Sequence, residues 1–354
     1  MTRSRLHTAR TALGTLDALL VTSLPNIRYL TGFTGSSGLA VLTHNRRVLI
    51  TDSRYREQSA REASGWRRVI SAAGIFDTAL SSGALRGCRS VGFESATISY
   101  ADYRRLRSVL PGVHLVPTRG IVEGVALVKD GRELALLRRA IRISEKVFGE
   151  ILGLLRPGMR EREVAAEITF RQRREGAERD SFDPIVTSGS RSALPHARAG
   201  ERKLRAGEPI ILDFGCMVGG YNSDLTRTVC LGTAPRRLRD IHAIVLHAHN
   251  AAVEAVRPGI PAKELDASAR QCIAGAGYGK RFIHSLGHGL GLRVHEPPRI
   301  APTSSEIIQE GAVITIEPGI YLPKFGGVRI EDDVLVTKRG ARMLTGLSRE
   351  LVVL

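Results

Sequence analysis

The chain has 354 residues, of which 43% are hydrophobic and 25% charged, so it can bury a sizeable core, and its length suggests two domains. Its formal net charge of +17 could indicate nucleic-acid binding, but the basic excess is spread, with 17 Lys and Arg against 8 Asp and Glu in residues 1–125 and 35 against 27 in the remainder. The sequence has no run of eighteen apolar residues and starts without a signal-peptide core, so we expect a cytoplasmic protein with reduced cysteines and no membrane contact.

The first part of the chain alternates predicted helices and strands. A helical pattern covers residues 3–20, strands are expected over residues 18–22, 38–42 and 47–51, and the alternation continues to about residue 116. This pattern favours an α/β domain with a mixed sheet. A boundary is predicted near residues 120–129, which gives an amino-terminal domain of residues 1–122 and a carboxy-terminal domain of residues 123–354.

A capping signal opens the second domain. Asp130 followed by Glu133 matches a capping box, and apolar residues at helical spacing predict a helix to about residue 154, where Pro157 and Gly158 stop it. Further helices are predicted over residues 161–176, 236–256 and 261–275. Two acidic hairpins and a histidine-rich segment are interspersed with these helices.

The first acidic pair is Asp213 and Asp224, on two apolar segments that form a predicted hairpin with residues 217–220 as its loop. That loop pairs Asp213 with Asp224. Directly opposed side chains lie about 4.5–5.5 Å apart at Cβ, and like charges placed there are destabilising. Two carboxylates in such apolar surroundings need a cation. The alternative for each aspartate alone is a turn or cap residue.

The second acidic pair is Glu317, which closes an apolar run, and Glu331, which follows one. Gly326 and Gly327 lie between them and can turn the chain. The alternative is a surface ladder of Arg329 and Glu331, because side chains two apart in a strand share a face. Together with the first pair, this arrangement predicts a site with several carboxylates.

A segment with three alternate glycines lies between the two hairpins, and these glycines argue against a helix. It carries His284, His288 and His295, so three of the ten histidines of the chain fall within twelve residues. Oxygen-rich sites with one imidazole suit Mn, Co, Fe or Zn. A structural zinc site is not predicted, because the four cysteines lie at least fourteen residues apart in the sequence.

These residues resemble the pita-bread metallopeptidases, the family that includes aminopeptidase P, prolidase and methionine aminopeptidase. The resemblance rests on five local motifs, which are Leu-Asp-Phe-Gly, Ser-Asp-Leu-Thr-Arg-Thr, Gly-His-Gly-Leu-Gly, Ile-Glu-Pro-Gly and Val-Arg-Ile-Glu-Asp. Residues 26–33 and 51–55 are also similar to the creatinase-type amino-terminal domain. The resemblance implies an α+β protein in which a creatinase-type α/β domain precedes a pita-bread domain, a curved antiparallel sheet covered by helices.

Five metal ligands follow from the resemblance. It implies two divalent metal ions per chain, with Mn expected ahead of Co or Zn. Asp213 would bind one ion, His288 and Glu317 would bind the other, and Asp224 and Glu331 would bridge the two. Creatinase has the same fold without these ligands, so the complete set favours a peptidase.

Four further residues match the proline-selective branch of the family, namely His196, His284, His295 and Arg329. The resemblance implies that all four act in catalysis and that the three histidines also bind the substrate. Arg299 is a candidate for binding the carboxylate of a dipeptide. Its alternative is an exposed residue that pairs with a nearby acid.

The expected chemistry follows from two metal ions held close together. They can share a water and lower its pKa towards neutrality, which gives a bridging hydroxide at working pH. Glu317 would take the proton of this water and deliver it to the leaving prolyl nitrogen. The predicted function is a dinuclear exopeptidase that cleaves between an amino-terminal residue and a following proline. Proline fixes φ and lacks an amide N–H, so a pocket shaped for its ring can select it.

Two alternatives stay open. The first is an Xaa-Pro dipeptidase, or prolidase, in place of an aminopeptidase P-like enzyme that acts on longer peptides. The second is a catalytically silent binding protein on the same fold, which would use its basic surface for nucleic acid or an acidic partner. Members of the family are often homodimers, and the resemblance implies a homodimer here.

Overall fold

The chain divides into two units, one up to Ala126 and one over Leu127–Leu354. The structure is a computed structural model that describes residues 3–354, so the first two residues of the predicted amino-terminal domain lie outside the described residues. The predicted boundary between residues 122 and 123 falls within the helix Ile121–Leu127. Its position stays a prediction.

The amino-terminal unit is built on one mixed sheet. Its helices are α1 Arg3–Thr11, α2 Leu24–Thr31, α3 Arg56–Glu62, α4 Ile75–Ser81, α5 Tyr100–Val109 and α6 Ile121–Leu127, with a short 3-10 helix at Ser53–Tyr55. Its strands are β1 Ala18–Val21, β2 Leu39–Thr43, β3 Arg47–Asp52, β4 Arg67–Ser71, β5 Ser90–Glu94 and β6 His114–Thr118. The strand order is β4-β3-β2-β1-β5-β6. Pairs β1–β2 and β2–β3 are antiparallel and the other three are parallel, as the alternating pattern predicts.

The first helix is shorter than predicted, because it ends at Thr11 and not near residue 20. Gly14 adopts a φ of 57°, a left-handed conformation that suits glycine and ends the helical path. Strand β1 then begins at Ala18 and is buried along its whole length. In the same unit, Trp66 is only 5% exposed and its indole N–H donates to the Leu30 carbonyl oxygen at 3.2 Å. It is the single tryptophan of the sequence.

The carboxy-terminal unit contains longer helices and many short strands. Its helices are α7 Gly131–Leu152, α8 Glu161–Arg174, α9 Arg236–Ala255 and α10 Ala262–Gly275, with short 3-10 helices at Gly189–Ala193 and Gly279–Arg281. Its strands are β7 Arg179–Asp180, β8 Ile185–Ser188, β9 Pro209–Phe214, β10 Cys216–Val218, β11 Tyr221–Asn222, β12 Leu225–Cys230, β13 Gly287–Gly289, β14 Glu296–Ile300, β15 Val313–Ile316, β16 Gly319–Leu322, β17 Gly326–Arg329, β18 Asp332–Thr337, β19 Gly340–Met343 and β20 Val352–Val353.

Four small sheets form the centre of this unit, with strand orders β11-β10-β7, β20-β12-β9-β8, β14-β13-β15-β18-β19 and β16-β17. Among the described residues all their pairs are antiparallel except β12–β20. One apolar cluster joins α7 and α8 to β8, β9 and β12, and another joins α9 and α10 to β15–β18. Helices thus cover a largely antiparallel sheet, which is the pita-bread architecture that the resemblance implies.

The predicted capping box at the start of α7 is confirmed. The Asp130 side chain accepts hydrogen bonds from the backbone N–H groups of Arg132 and Glu133, and the Glu133 carboxylate accepts from the Asp130 N–H at 2.8 Å. Helices α8, α9 and α10 end within two residues of their predicted bounds. No described helix combines the length and apolar character needed to cross a membrane.

Candidate metal centre

A cavity of about 290 Å³ in the carboxy-terminal unit collects most of the predicted site residues. The predicted metal ligands on its wall are Asp213, Asp224, His288, Glu317 and Glu331. The predicted catalytic and substrate-binding residues on its wall are His196, His284, His295 and Arg329. The fold therefore brings together residues from the two acidic hairpins, the histidine-rich segment and the loop before β9.

The first hairpin has a different register from the predicted one. Only Gly219 and Gly220 form its turn, with φ values of 59° and 87°, the left-handed pair of a two-residue hairpin turn. Asp213 therefore lies opposite Thr226, and not opposite Asp224. The shift is two residues, and side chains alternate with period two. Asp213 and Asp224 consequently still share a face, and Asp224 is 4% exposed.

The second acidic pair follows from the ladder between β15 and β18. Ile316 pairs with Asp332 at the end of that ladder. Glu317, which follows Ile316, and Glu331, which precedes Asp332, are therefore the first residues beyond the end of the ladder. Pro318 and the β16–β17 hairpin separate them in sequence. A bridge to Thr226 brings Glu331 next to the first hairpin: the Glu331 N–H donates to the Thr226 carbonyl oxygen at 3.1 Å. This bridge joins the two acidic hairpins.

His288 lies on the short strand β13, whose flanking glycines allow close approach of the neighbouring strands. Its Nδ1 lies 3.1 Å from the Gly289 carbonyl oxygen, which leaves Nε2 directed at the carboxylates. Nε2 is 3.8 Å from Asp224 Oδ2 and 3.5 Å from Glu317 Oε1. Burial lowers the pKa of His288 to about 4. A neutral ring with a free Nε2 is the form that binds metal ions.

The carboxylates fit a divalent cation. One ligand atom from each of Asp224, His288 and Glu331 lies within 4.8 Å of the others, and Asp213 Oδ1 is buried without a hydrogen-bond partner among the described residues. Four carboxylates and one imidazole form an oxygen-rich donor set of the kind that Mn and similar ions bind. The residues present therefore match the group that the resemblance implies.

The electrostatics of the cluster also call for a positive charge. Burial, followed by the charges of Glu331 and Asp213, raises the pKa of Asp224 well above its ordinary value. Burial and Asp213 raise the pKa of Glu331 to about 8, and burial and Glu331 raise the pKa of Glu317. These pKa values are raised because burial and the repulsion between neighbouring carboxylates both make ionisation unfavourable. A bound dication reverses this cost, because it stabilises the ionised form.

Arg329 supplies one fixed positive charge beside the cluster. It is 3% exposed and forms an ion pair with Asp213 through Nη2. Its Nη1 donates to the Tyr321 hydroxyl oxygen at 2.8 Å, and that hydroxyl lies 2.8 Å from Nε2 of His284. The Nδ1 of His284 lies 2.8 Å from the Ser285 carbonyl oxygen. A hydrogen-bonded chain thus runs from Arg329 through Tyr321 to His284.

The remaining predicted residues divide into two groups. His196 and His295 are exposed on the cavity wall, and the His295 ring stands 4.3 Å from the His288 ring at an interplanar angle of 78°. Arg299 is exposed on β14 and does not line the cavity. Its backbone N–H donates to Glu306 Oε2 at 2.7 Å. The structure therefore brings the two histidines to the candidate site and leaves Arg299 apart from it.

The sequence motifs do not identify two residues, Thr226 and Tyr321, that contact residues of the candidate site. The Thr226 hydroxyl donates to Glu331 Oε2 at 2.6 Å and accepts from Arg329 Nε at 3.1 Å, and Tyr321 links Arg329 to His284. A signal existed for Thr226, because it stands two positions after Asp224 in a strand. Tyr321 gave none, because its position depends on the β16–β17 hairpin folding back.

Comparisons with known proteins identify two family regions in the chain. The model of metallopeptidase family M24 matches residues 135–338, and that of the creatinase/prolidase N-terminal domain matches residues 3–128. The chain is 37% identical over 337 residues to the Xaa-Pro dipeptidase of Pyrococcus horikoshii, which covers 95% of each chain. Among solved structures, an Xaa-Pro dipeptidase from Bacillus anthracis has a TM-score of 0.96 at 39% identity, covering 99% of each chain. An X-Pro aminopeptidase from Thermotoga maritima MSB8 has a TM-score of 0.92 at 36% identity, covering 98% of this chain and 99% of that one.

Proposed function

The chain belongs to metallopeptidase family M24, and we propose that it is a dinuclear exopeptidase that cleaves between an amino-terminal residue and a following proline. The observation that carries the proposal is a single cavity wall that holds five candidate metal ligands together with His196, His284, His295 and Arg329. Relatives at 36–39% identity over nearly the whole chain that are named for Xaa-Pro substrates support the same substrate class.

We propose two divalent ions per chain, with Mn ahead of Co or Zn. Asp213 would hold one ion, His288 and Glu317 would hold the other, and Asp224 and Glu331 would contribute to both. When bound, such ions lower the pKa of water and polarise a carbonyl oxygen. Among the described residues Asp213 Oδ1 has no hydrogen-bond partner, and Nε2 of His288 is directed at the carboxylates of Asp224 and Glu317; both observations support this assignment.

Glu317 moves the proton in the proposed reaction. A carboxylate oxygen of Glu317 accepts a proton from water as the water oxygen bonds to the scissile carbonyl carbon. The same oxygen then donates this proton to the prolyl nitrogen as the C–N bond breaks. The products are the free amino-terminal residue and a peptide that begins with proline. The Glu317 side chain is 17% exposed, which supports access from the cavity.

The histidines and Arg329 position the substrate. His196 and His295 are exposed on the wall, where their rings can donate to the carbonyl oxygen of the substrate as negative charge develops on it. His284 is held by the Tyr321 hydroxyl, and Arg329 balances the charge of Asp213. The hydrogen bonds of Arg329 with Asp213 and Tyr321 are charge-assisted and therefore stronger than neutral ones, which supports a fixed position for the Tyr321 hydroxyl that contacts His284.

A second candidate function, an Xaa-Pro dipeptidase, is favoured by the names of two of the three relatives reported above. A dipeptidase needs a cation for the carboxylate of the substrate. Arg299 stays a predicted substrate-binding residue, but its exposed position apart from the cavity does not favour it. Arg198 lines the cavity and offers a second guanidinium. We retain the aminopeptidase as the leading proposal.

The test compares Ala-Pro, Ala-Pro-Ala and longer Ala-Pro peptides with Mn, Co or Zn added to the metal-free protein, with Ala-Ala-Ala as the control substrate. We expect cleavage of the Ala-Pro bond in all proline peptides and little cleavage of the control. Hydrolysis confined to the dipeptide contradicts the aminopeptidase and supports the dipeptidase. A protein that binds metal and cleaves no Xaa-Pro bond contradicts both.

Two further proposals concern the state of the protein in the cell. We propose a homodimer, which the family resemblance supports, and sedimentation of the purified protein tests it. We propose the cytoplasm as its compartment. The four free cysteines support this, since a reducing compartment keeps thiols unpaired.

A further inference from the structure

A second cavity, of about 500 Å³, adjoins the candidate metal centre. We name it the outer cavity. Asp183, Ile185 and Arg198 line both cavities, so the two spaces meet at these three side chains. None of the predicted metal ligands lines the outer cavity. It therefore continues the candidate metal-binding cavity in a direction away from the predicted ligands.

One face of α8 forms a wall of the outer cavity. Arg162, Ala166 and Phe170 recur at intervals of four residues, with Ala165 beside them, and residues spaced by three or four share a helix face. The opposite face of α8 is buried through Val164 and Ile168. The wall is therefore fixed to the core, while its two alanines leave room for a ligand.

Phe170 makes this wall apolar as well as accessible. Its side chain is 59% exposed, and the guanidinium carbon of Arg174 lies 5.8 Å from its ring centroid. Pro184, Ile185 and Ala199 add further apolar surface. An exposed aromatic group in a concave apolar surface next to a catalytic cavity is typical of a ligand-binding subsite.

The chemistry of an exopeptidase decides what can occupy this space. Only one residue of the substrate precedes the bond that is cleaved, so the amino-terminal side of the substrate ends at the metal centre. Any longer part of the substrate must leave on the side that follows proline. A cavity that continues from the catalytic one thus lies where the third residue of a peptide can pass.

We propose that the outer cavity binds the residue that follows proline in the substrate and prefers an apolar or aromatic side chain there, which packs on Phe170. This inference rests on the proposed function and deepens it. Arg198 stands at the junction of the two cavities and faces the peptide backbone or carboxylate beyond proline. A dipeptide does not reach Phe170, whereas a tripeptide does.

The experiment measures kcat/KM for Ala-Pro-Phe and Ala-Pro-Gly with the Mn-loaded full chain. We expect a preference of about tenfold for Ala-Pro-Phe, because its aromatic side chain can pack on the Phe170 ring and glycine cannot. Phe170→Ser should reduce this ratio to near one. Ala166→Leu, which fills the outer cavity from the same helix face, should also reduce it.

Leu80→Ser is the matched control, since Leu80 is 50% exposed on α4 of the other unit and should leave the ratio unchanged. A binding readout uses Pro-Phe and Pro-Gly as product inhibitors. Pro-Phe should inhibit more strongly in the wild type, and Phe170→Ser should remove the difference.

The outcomes separate the two proposals. Cleavage of Ala-Pro without any tripeptide cleavage overturns the outer-cavity inference and leaves an Xaa-Pro peptidase. Equal ratios for wild type and Phe170→Ser also overturn it. If no Xaa-Pro substrate is cleaved at all, the proposed function fails, and the inference fails with it.

Discussion

The Thr226 hydroxyl contacts two groups of the candidate metal centre at once. It donates to Glu331 Oε2 and accepts from Arg329 Nε, and its strand position lies opposite Asp213. Groups that hydrogen-bond to ligating carboxylates typically change metal affinity or activity 10–100-fold when removed. We infer that Thr226 is a positioning residue, which holds the Glu331 carboxylate and the Arg329 fork in one geometry.

Thr226→Val should lower Mn affinity and kcat about tenfold or more, because valine keeps the shape and removes the hydroxyl. Isothermal titration with Mn and steady-state kinetics measure the two effects. The matched control is Thr51→Val, which removes a buried strand hydroxyl that donates to the Ser37 carbonyl oxygen at 2.6 Å. Both variants should lose about 1 kcal/mol of unfolding free energy. Equal Mn affinity in both variants would contradict the positioning role.

The charge of the two carboxylates that we propose to bridge the ions can be removed almost without a change of shape. Asp224→Asn or Glu331→Gln should abolish activity and lose at least one metal ion per chain. In each variant a neutral amide replaces one negatively charged carboxylate of the proposed site. Metal analysis of the purified variants measures the loss. His295→Ala should keep its metal content. Full occupancy and full rate in Glu331→Gln would mean that Glu331 does not bridge the ions.

His242 gives a pH-dependent term in stability. It is 4% exposed on α9, and burial followed by the charge of Arg227 lowers its pKa to about 4. His242 binds its proton near pH 6.5 in the unfolded chain and only near pH 4 in the folded chain. Its contribution is therefore complete above pH 6.5 and is lost as the pH falls towards 4, to a total of about 3 kcal/mol.

His242→Leu should remove this dependence, because leucine fills the apolar site and binds no proton. Urea unfolding between pH 4 and pH 7 measures the slope of free energy against pH. We expect a steeper slope for the wild type than for the variant. The difference between the two slopes should correspond to at most one proton taken up on unfolding in this window. Parallel curves for the two proteins would show that His242 titrates normally in the folded state.

At the level of single residues, sequence motifs placed nine of the ten predicted site residues on one cavity wall. They could do so because ligand residues must keep their chemical type. Thr226 and Tyr321 were missed, since many residue types can hydrogen-bond to a ligand and only the folded chain shows which one does. Arg299 failed to reach the cavity because its strand carries it to an exposed position.

At the level of elements, the first acidic hairpin shows why register is difficult to predict. The sequence Val218-Gly219-Gly220 identifies the turn, but it does not say whether two or four residues form it. The structure has the two-residue turn, with both glycines at positive φ. A shift of two residues leaves each side chain on the same face of the sheet. The predicted proximity of Asp213 and Asp224 therefore holds although the predicted pairing is wrong. Helix bounds were easier to predict, because capping residues and proline mark them locally.

Alanine should have opposite effects on stability at Gly219 in this turn and at Gly149 on α7. Gly219→Ala should destabilise the protein by about 1 kcal/mol or more, because φ is 59° and the new Cβ would lie 2.7 Å from the Leu136 side chain. Gly149→Ala on α7 is the control, where a Cβ meets no atom within 4 Å. It should stabilise by about 0.5–1 kcal/mol. Denaturant unfolding of both variants measures these values, and destabilisation of similar size in both would contradict this account of the turn.

At the level of the whole molecule, metal ions should stabilise the fold by mass action. Ligand at about 100 times its dissociation constant adds about 2.7 kcal/mol, and 1 kcal/mol shifts the unfolding temperature by about 2–4 °C in a domain of this size. Calorimetry should therefore show a rise of about 5 °C or more when Mn is added to chelated protein. Asp224→Asn should show a much smaller rise. An equal rise in both proteins would place the ion elsewhere.

The global fold was accessible from sequence because alternating elements and local motifs mark both units. The net charge of +17 was not informative about function. Its basic residues are distributed over both units, so they form no single predicted face, whereas the residues that identify a peptidase are few and mostly buried. A small set of buried polar groups thus carried more functional information than the overall composition.

The position of Trp66 determines what an optical experiment can observe. Its indole lies in the apolar interior of the amino-terminal unit, and the sequence contains no other tryptophan. During denaturation, emission excited at the red edge of aromatic absorption follows the loss of that unit alone, while circular dichroism follows both. A difference between the two signals then measures whether the halves of the chain melt together or in succession, without any dye or label.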